Sequence, residues 1–292
     1  MKQAILITAY KNIRHLEEII SCFGSDFYFY IHIDKKSNLS PDEKQELEKI
    51  RNIAFVSRNF KTNWGGLNHL NSILLLLKEA VKKKDIEYIH LISGHDFPIK
   101  NCQNFKEIML ANKGKEFLEF FEMPAKVWEN GGMDRILYYN LYDVIDAKGT
   151  NGRFIRKFIN LQKKYNIKRK IKDDFPKLYG GSTWWTLSFD CCQYVLGYID
   201  KNPSFLKRFK HTFCAEEIFF QTIVLNSPFK ENVVNDNLRL ILWETRNGNC
   251  PANLDESDLN VITASEKLFA RRFEYPVSAA LVKTLKERLT KQ

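Results

Sequence analysis

Two adjacent acids, Glu216 and Glu217, open an apolar run in the stretch CAEEIFFQTI, residues 214–223. A carboxylate beside Ile218, Phe219 and Phe220 is partly stripped of water, which raises its basicity and suits it to take a proton from a hydroxyl. Acids in a first helical turn also complement the helix dipole with no chemical role. Successive helical residues lie about 100° apart, so the two acids cannot share one pocket. Arginines supply the opposite charge: Arg239 in NLRLILWE (237–244), and Arg271 and Arg272 in LFARRFEYP (268–276). Planar guanidinium forks match phosphate oxygens, although ordinary ion pairs account for most isolated arginines. In IHIDKKS (31–37), Asp34 stands where a strand ends and can accept from a nucleoside's N–H or ribose hydroxyls, or simply hold its own turn. NWGG (63–66) offers the Trp64 indole as a stacking face and Gly65 as a point of close backbone approach. In LISGHDFPIK (91–100), Asp96 follows Gly94 and His95 with no second hard oxygen ligand in reach of sequence, so no metal site is expected.

Most of these residues sit at the ends of elements that alternate. QAILITAY reads as a strand, 13–22 as a helix, FYFYIHID as a strand and PDEKQELEKIRN as a helix. IAFVS is then a strand, LNHLNSILLLLKEAVKKK a helix and IEYIHLIS a strand. Continuous apolar strands such as AILIT predict an α/β fold with a parallel sheet covered on both faces. Ligands of such sheets bind beyond the carboxyl ends of the strands, here 8–11, 32–37, 57–66 and 93–98. After residue 101 the pattern loosens: FLEFFEMP and STWWTLSFD read as strands, CQYVLGYID and AEEIFFQTIVLN as helices, NLRLILWE as a strand and 276–291 as a terminal helix. With no internal repeat and no Gly/Ser linker, residues 1–292 are expected to form one domain, with 1–100 as its nucleotide-binding half and 101–292 as its acceptor and catalytic half.

Of 292 residues 44% are hydrophobic and 13% aromatic, which excludes a disordered chain. The six cysteines are scattered without a CxxC pair, which reads as free thiols and argues against a structural zinc. Lysine and arginine exceed aspartate and glutamate by 45 to 35, and the excess concentrates in 153–172, which holds nine basic residues and no acid. A nucleoside diphosphate, an acidic glycan or an anionic bilayer would fit such a patch, and peripheral membrane contact is expected through it. The plainer expectation is a solvated helix that buries Phe154, Phe158, Leu161 and Tyr165. No RNA- or DNA-binding module is recognisable, so no nucleic-acid partner is expected. Residues 1–20 lack a signal-peptide core and no stretch reaches the roughly 20 apolar residues of a spanning helix, which predicts a cytoplasmic protein, peripheral at the inner membrane face.

In this order, IHIDKKS, NWGG, LISGHDFPI, FLEFFEMP, YGGSTWWTLS, AEEIFFQT, LRLILW and LFARRF resemble glycosyltransferase family 14, the core-2/I-branching β-1,6-N-acetylglucosaminyltransferase and xylosyltransferase family. The resemblance implies a GT-A-like fold with a Rossmann-type, mainly parallel central sheet. It implies inverting transfer from a UDP-sugar to a glycan or glycolipid hydroxyl, with no divalent metal and no other cofactor. UDP-N-acetylglucosamine is the donor expected first, ahead of UDP-xylose and UDP-galactose, and surface polysaccharide assembly is the expected setting. Carried over by motif, Glu217 is the base, with Ala215 where the family has proline, and Glu216 is the alternative. Arg239 and Arg272 would neutralise the departing diphosphate, the latter replacing the family's usual lysine. Asp34 would touch the nucleoside, with Trp64, Gly65 and Asp96 also on the nucleotide side. Glu119 would bind the acceptor, and Ser182 and Trp184 would line the sugar site.

Two rival classes stay open on sequence. A glycoside hydrolase could pair Glu119 with Glu217 across a glycosidic bond. A non-catalytic protein on the same scaffold could bind glycan, or nucleic acid through 153–172.

Overall fold

The structure is a computed structural model that describes residues 1–147 and 151–290. Its centre is a seven-stranded sheet made of β1 (Lys2–Ala9), β2 (Phe27–Ile33), β3 (Ile53–Ser57), β4 (Ile86–Ser93), β6 (Glu116–Glu122), β7 (Tyr179–Ser188) and β8 (Val233–Val234). The strand order is β3-β2-β1-β4-β7-β6-β8. From β3 to β4 the pairings are parallel, as alternating strands and helices require. β7 runs antiparallel to both β4 and β6, so the sheet is mixed at one end. A second sheet of three short strands, in the order β5-β10-β9, joins β5 (Asp96–Pro98), β9 (Arg239–Ile241) and β10 (Phe269–Arg271).

Alternation along β1 explains how the layers form. Ile5, Ile7 and Ala9 point into one core, shared with the helices Ile13–Ser21, Cys102–Ala111 and Ala279–Thr290. Ala4 and Leu6 point into the other, shared with Leu67–Ala80, Phe189–Lys201 and Glu216–Leu225. Both faces are dry, which is why β1, β2 and β4 read as unbroken apolar runs. Trp185 on β7 is fully buried against Phe220, and truncation to alanine should cost roughly 3–5 kcal/mol. The terminal helix spans Ala279–Thr290; Lys291, the last residue of its expected range, lies outside the described residues.

Local chemistry sets the helix ends at both edges of the sheet. Ser188 caps Phe189–Lys201, accepting from Cys191 N at 3.2 Å while its own N–H and hydroxyl donate to Glu116 at 2.7 and 2.5 Å. Helix Leu67–Ala80 has no capping side chain at Gly66; the Asp143 carboxylate accepts from Asn68 N at 3.0 Å instead. Among the described residues no helix is long and apolar enough to cross a membrane.

Candidate active site

The site lies where the carboxyl ends of β1, β2 and β4 meet the second sheet and the start of helix Glu216–Leu225. At that helix start the two acids diverge, as the 100° step demands. Arg135 Nη1 donates to Glu217 Oε2 at 2.5 Å, and the guanidinium lies flat on Trp128, 3.6 Å from the ring centroid. Burial, together with the neighbouring Glu216, pushes the Glu217 carboxyl above the usual carboxylate range, against the pull of Arg135. Glu216 turns inward and accepts from His69 Nδ1 at 2.9 Å, and His69 Nε2 lies 3.2 Å from the Thr8 hydroxyl at the end of β1. Nothing in the sequence singled out Arg135 or His69, and Thr8 entered only as the first residue of the strand-end segment 8–11. Only the fold brings together positions 82 and 147 residues apart.

The second sheet supplies the positive charge. Register places Arg271 on β10 opposite Asp96 on β5. Arg271 Nε lies 3.6 Å from Asp96 Oδ1, and its guanidinium covers the Trp184 ring at 4.3 Å from the centroid. Burial draws its pKa down, with Asp96 opposing that shift and Glu217 also acting on it through space. Arg272 Nη2 donates to Glu274 Oε2 at 2.8 Å and meets His95 Nε2 at 3.2 Å. Burial and the adjacent Arg272 charge hold the His95 pKa at about 4, so the ring is uncharged at neutral pH. Nδ1 then donates to Phe273 O at 3.1 Å while Nε2 accepts from Arg272.

Three expectations from sequence need correction. Arg239 does not open onto the cleft. Its guanidinium is enclosed, donating to Leu91 O at 2.8 Å, Trp185 O and Thr186 Oγ1 at 3.0 Å, and Asn237 O. Burial lowers its pKa to about 9, which still leaves it charged. It pins β4 and β7 to β9, whereas Arg271 is the arginine that faces Trp184. Asp96 is fully buried and cannot reach a nucleotide. Its Oδ2 accepts from Ser93 N and Oγ at 2.5 and 2.6 Å, and Oδ1 faces Arg271, so it serves as a counter-charge. Gly65 makes way for protein, not ligand: at φ 76° a Cβ would meet the Phe213 ring at 2.3 Å. On the basic helix Asn151–Lys164 the stripe expected to be buried is likewise turned out, with Phe154, Leu161 and Tyr165 exposed.

The remaining candidates divide. Trp64 is 64% exposed and packs edge-on to Phe213, which lies 5.3 Å from the Arg135 guanidinium, so it stands at the rim on the Glu217 side. Asp34 Oδ1 accepts from Lys36 N at 2.8 Å and Thr62 N at 3.2 Å, a turn-holding role that ties β2 to the loop before Trp64. Ser182 Oγ accepts from Trp184 N at 3.3 Å, keeping β7 in place under Arg271. Glu119 accepts from Asn237 Nδ2 at 2.7 Å, so its contact runs toward β9 and not toward Glu217. Among the described residues no three His, Cys, Asp or Glu side chains are grouped to hold a metal ion.

Comparison with known proteins gives a consistent answer. Residues 4–266 match the family model described as Core-2/I-Branching enzyme. The chain is 27% identical over 251 residues to xylosyltransferase sqv-6 of Caenorhabditis briggsae, a match covering 82% of this chain and 28% of that protein. It is 26% identical over 294 residues to the xylosyltransferase of Ciona intestinalis, covering 95% of this chain and 32% of that one. It therefore spans about a third of the length of these relatives. Among solved structures, S. aureus TarS 1–349 aligns over 80% of this chain and 57% of its own, with 13% identity and a TM-score of 0.39, too loose a likeness to carry any argument.

Proposed function

Because the chain belongs to the core-2/I-branching enzyme family, we propose that it is an inverting, metal-independent glycosyltransferase that moves a sugar from a UDP-sugar to a glycan or glycolipid hydroxyl. The observation that carries this reading is Arg271, laid over Trp184 and backed by the buried Asp96, with Arg272 beside it in sequence and Glu217 within electrostatic range.

In the proposed step the acceptor hydroxyl attacks the anomeric carbon from the face opposite the diphosphate. The bond from that carbon to the nucleotide breaks, UDP leaves with the electron pair, and the hydroxyl proton passes to Glu217. Arg135 holds Oε2, so Oε1 takes the proton. Charge grows on the leaving phosphate as the bond breaks, and a fixed cation there acts more strongly on the transition state than on the ground state. Arg271 and Arg272 supply that cation, and Arg239 braces β9, the strand that pairs with β10 beneath them. Ser182 and Trp184 line the donor sugar, Asp34 and Trp64 border the nucleoside, and Glu119 contributes on the acceptor side. Residues 1–292 act as one unit in this reading, on the cytoplasmic side, in surface polysaccharide assembly, with peripheral membrane contact through 153–172.

UDP-N-acetylglucosamine is the donor we propose first. UDP-xylose stands beside it because the named relatives are xylosyltransferases. A thermal-shift panel of UDP-sugars, followed by UDP release from the best binder with a glycan acceptor, tests the reading. Stabilisation by one UDP-sugar and acceptor-dependent UDP release are expected; no shift with any of them would overturn it.

A further inference from the structure

The basic helix Asn151–Lys164 does not bury the stripe its sequence pattern suggests. Phe154, Leu161 and Tyr165 are 57%, 51% and 63% exposed, and Phe158 is half-buried. Gly152, Ile155 and Gln162 face the body of the protein instead. On a helical wheel the four apolar positions fall within about 60° of one another, roughly 100° from that buried face. The reason is a polar anchor: Gln162 accepts from Tyr139 N at 2.8 Å and donates to Tyr139 O at 3.0 Å, while Lys163 pairs with Asp134 at 2.5 Å. These contacts fix the helix with its aromatic stripe outward.

Arg153, Lys157 and Lys164 line the other flank of the stripe, about 90° away on the wheel, and all three are exposed. A contiguous exposed apolar strip with a basic flank is the pattern of a helix lying in a membrane interface, its rings in the acyl boundary and its bases among headgroup phosphates. The sequence around it, 153–172, has nine bases and no acid, so the complementary surface is anionic. Ile167, just past the helix end, is also half exposed.

We infer that this face seats the protein on an anionic phospholipid bilayer, with Phe154, Leu161 and Tyr165 as anchors and Arg153, Lys157 and Lys164 as headgroup contacts. The inference deepens the peripheral contact proposed above and rests on the transferase reading only for its purpose, which is to hold the cleft over a lipid-linked acceptor.

The test is cosedimentation of the full chain with vesicles of phosphatidylcholine alone and of phosphatidylcholine mixed equally with phosphatidylglycerol. UDP binding by calorimetry runs in parallel as a measure of intact fold and donor site. The wild type should bind the anionic vesicles and release at high salt. The triple variant Phe154→Ser, Leu161→Ser, Tyr165→Ser should lose on the order of 100-fold in partition. Arg153→Glu with Lys157→Glu and Lys164→Glu should lose at least about tenfold. Both variants should keep wild-type UDP affinity. No binding of wild type to anionic vesicles, unchanged binding by the triple-serine variant, or a wild-type dimer that the serine variant disperses would each overturn the inference. Failure of the wild type to bind UDP counts against the transferase reading and leaves the vesicle result to stand by itself.

Discussion

Replacing Arg271 by alanine separates the proposed leaving-group site from the structural arginine beneath it. The Arg271 guanidinium is held from below by Trp184 at 4.3 Å and from the side by Asp96 at 3.6 Å, so it is already oriented when a phosphate arrives. Removing one preorganised donor to a developing oxyanion costs about 10²- to 10³-fold in turnover, or roughly 2.7–4 kcal/mol. Arg271→Lys keeps the charge but gives up the fork and the flat stack, and should recover part of that loss. Arg239→Ala behaves differently. It strands Leu91 O, Trp185 O and Thr186 Oγ1 and removes a buried charge near Asp96. Breaking such a buried network costs about 3–5 kcal/mol of stability. The assay is UDP release at saturating donor, set beside thermal melts of each variant. Arg271→Ala with turnover within a few-fold of wild type, or with the same loss of melting temperature as Arg239→Ala, would refute the division of labour.

Other outcomes follow from the same geometry. Glu217→Gln should bind UDP normally and turn over at least about 10²-fold more slowly; in the wild type, activity should fall on the acid side at a higher pH than an ordinary carboxylate would give, because burial raises the Glu217 pKa. Arg135→Ala removes the group that opposes that shift and should move the acid limb of the pH profile further up, which a purely structural role for Arg135 would not do. His32 and His95, both held at about 4 by burial, take up protons more readily when unfolded, so stability should be full above roughly pH 6.5 and decline as pH falls toward 4; a flat melting temperature across that window would contradict these environments. Turnover should survive EDTA, and loss that manganese restores would show that an ion is needed beside the arginines.

The first hundred residues were legible because burial on both sheet faces leaves its mark on each strand in turn. Strand 53–57 and strand 86–93 fall where the apolar runs place them, and helix Leu67–Ala80 begins at the expected Gly66 boundary. Of the second sheet only β9 was legible, inside NLRLILWE; β5, β10 and their pairing were not. β5 and β10 are three residues each, too short for a period of two to register; Arg271 of β10 pairs with Asp96 of β5 across 175 positions of chain and with Ile241 of β9 across 30. That sheet decides which arginine faces the cleft, so LRLILW and LFARRF could give the charges but not the choice among Arg239, Arg271 and Arg272. The acids show the same limit. The helical step predicts that Glu216 and Glu217 part company, while their partners, His69 and Arg135, come from elements that only tertiary packing delivers. On the basic helix the stripe was visible, yet its exposure depends on Gln162 finding the Tyr139 backbone, which a helical wheel cannot show.

In the proposed reaction fixed guanidinium groups, without a bound ion, receive the diphosphate. Calorimetric titration of wild-type protein with UDP and with uridine, both in EDTA, tests it most directly. UDP should bind about 100-fold or more tightly than uridine, and the gap should narrow sharply in Arg271→Ala with Arg272→Ala. Equal affinity for the two ligands in EDTA, with the gap appearing only when manganese is added, would contradict it.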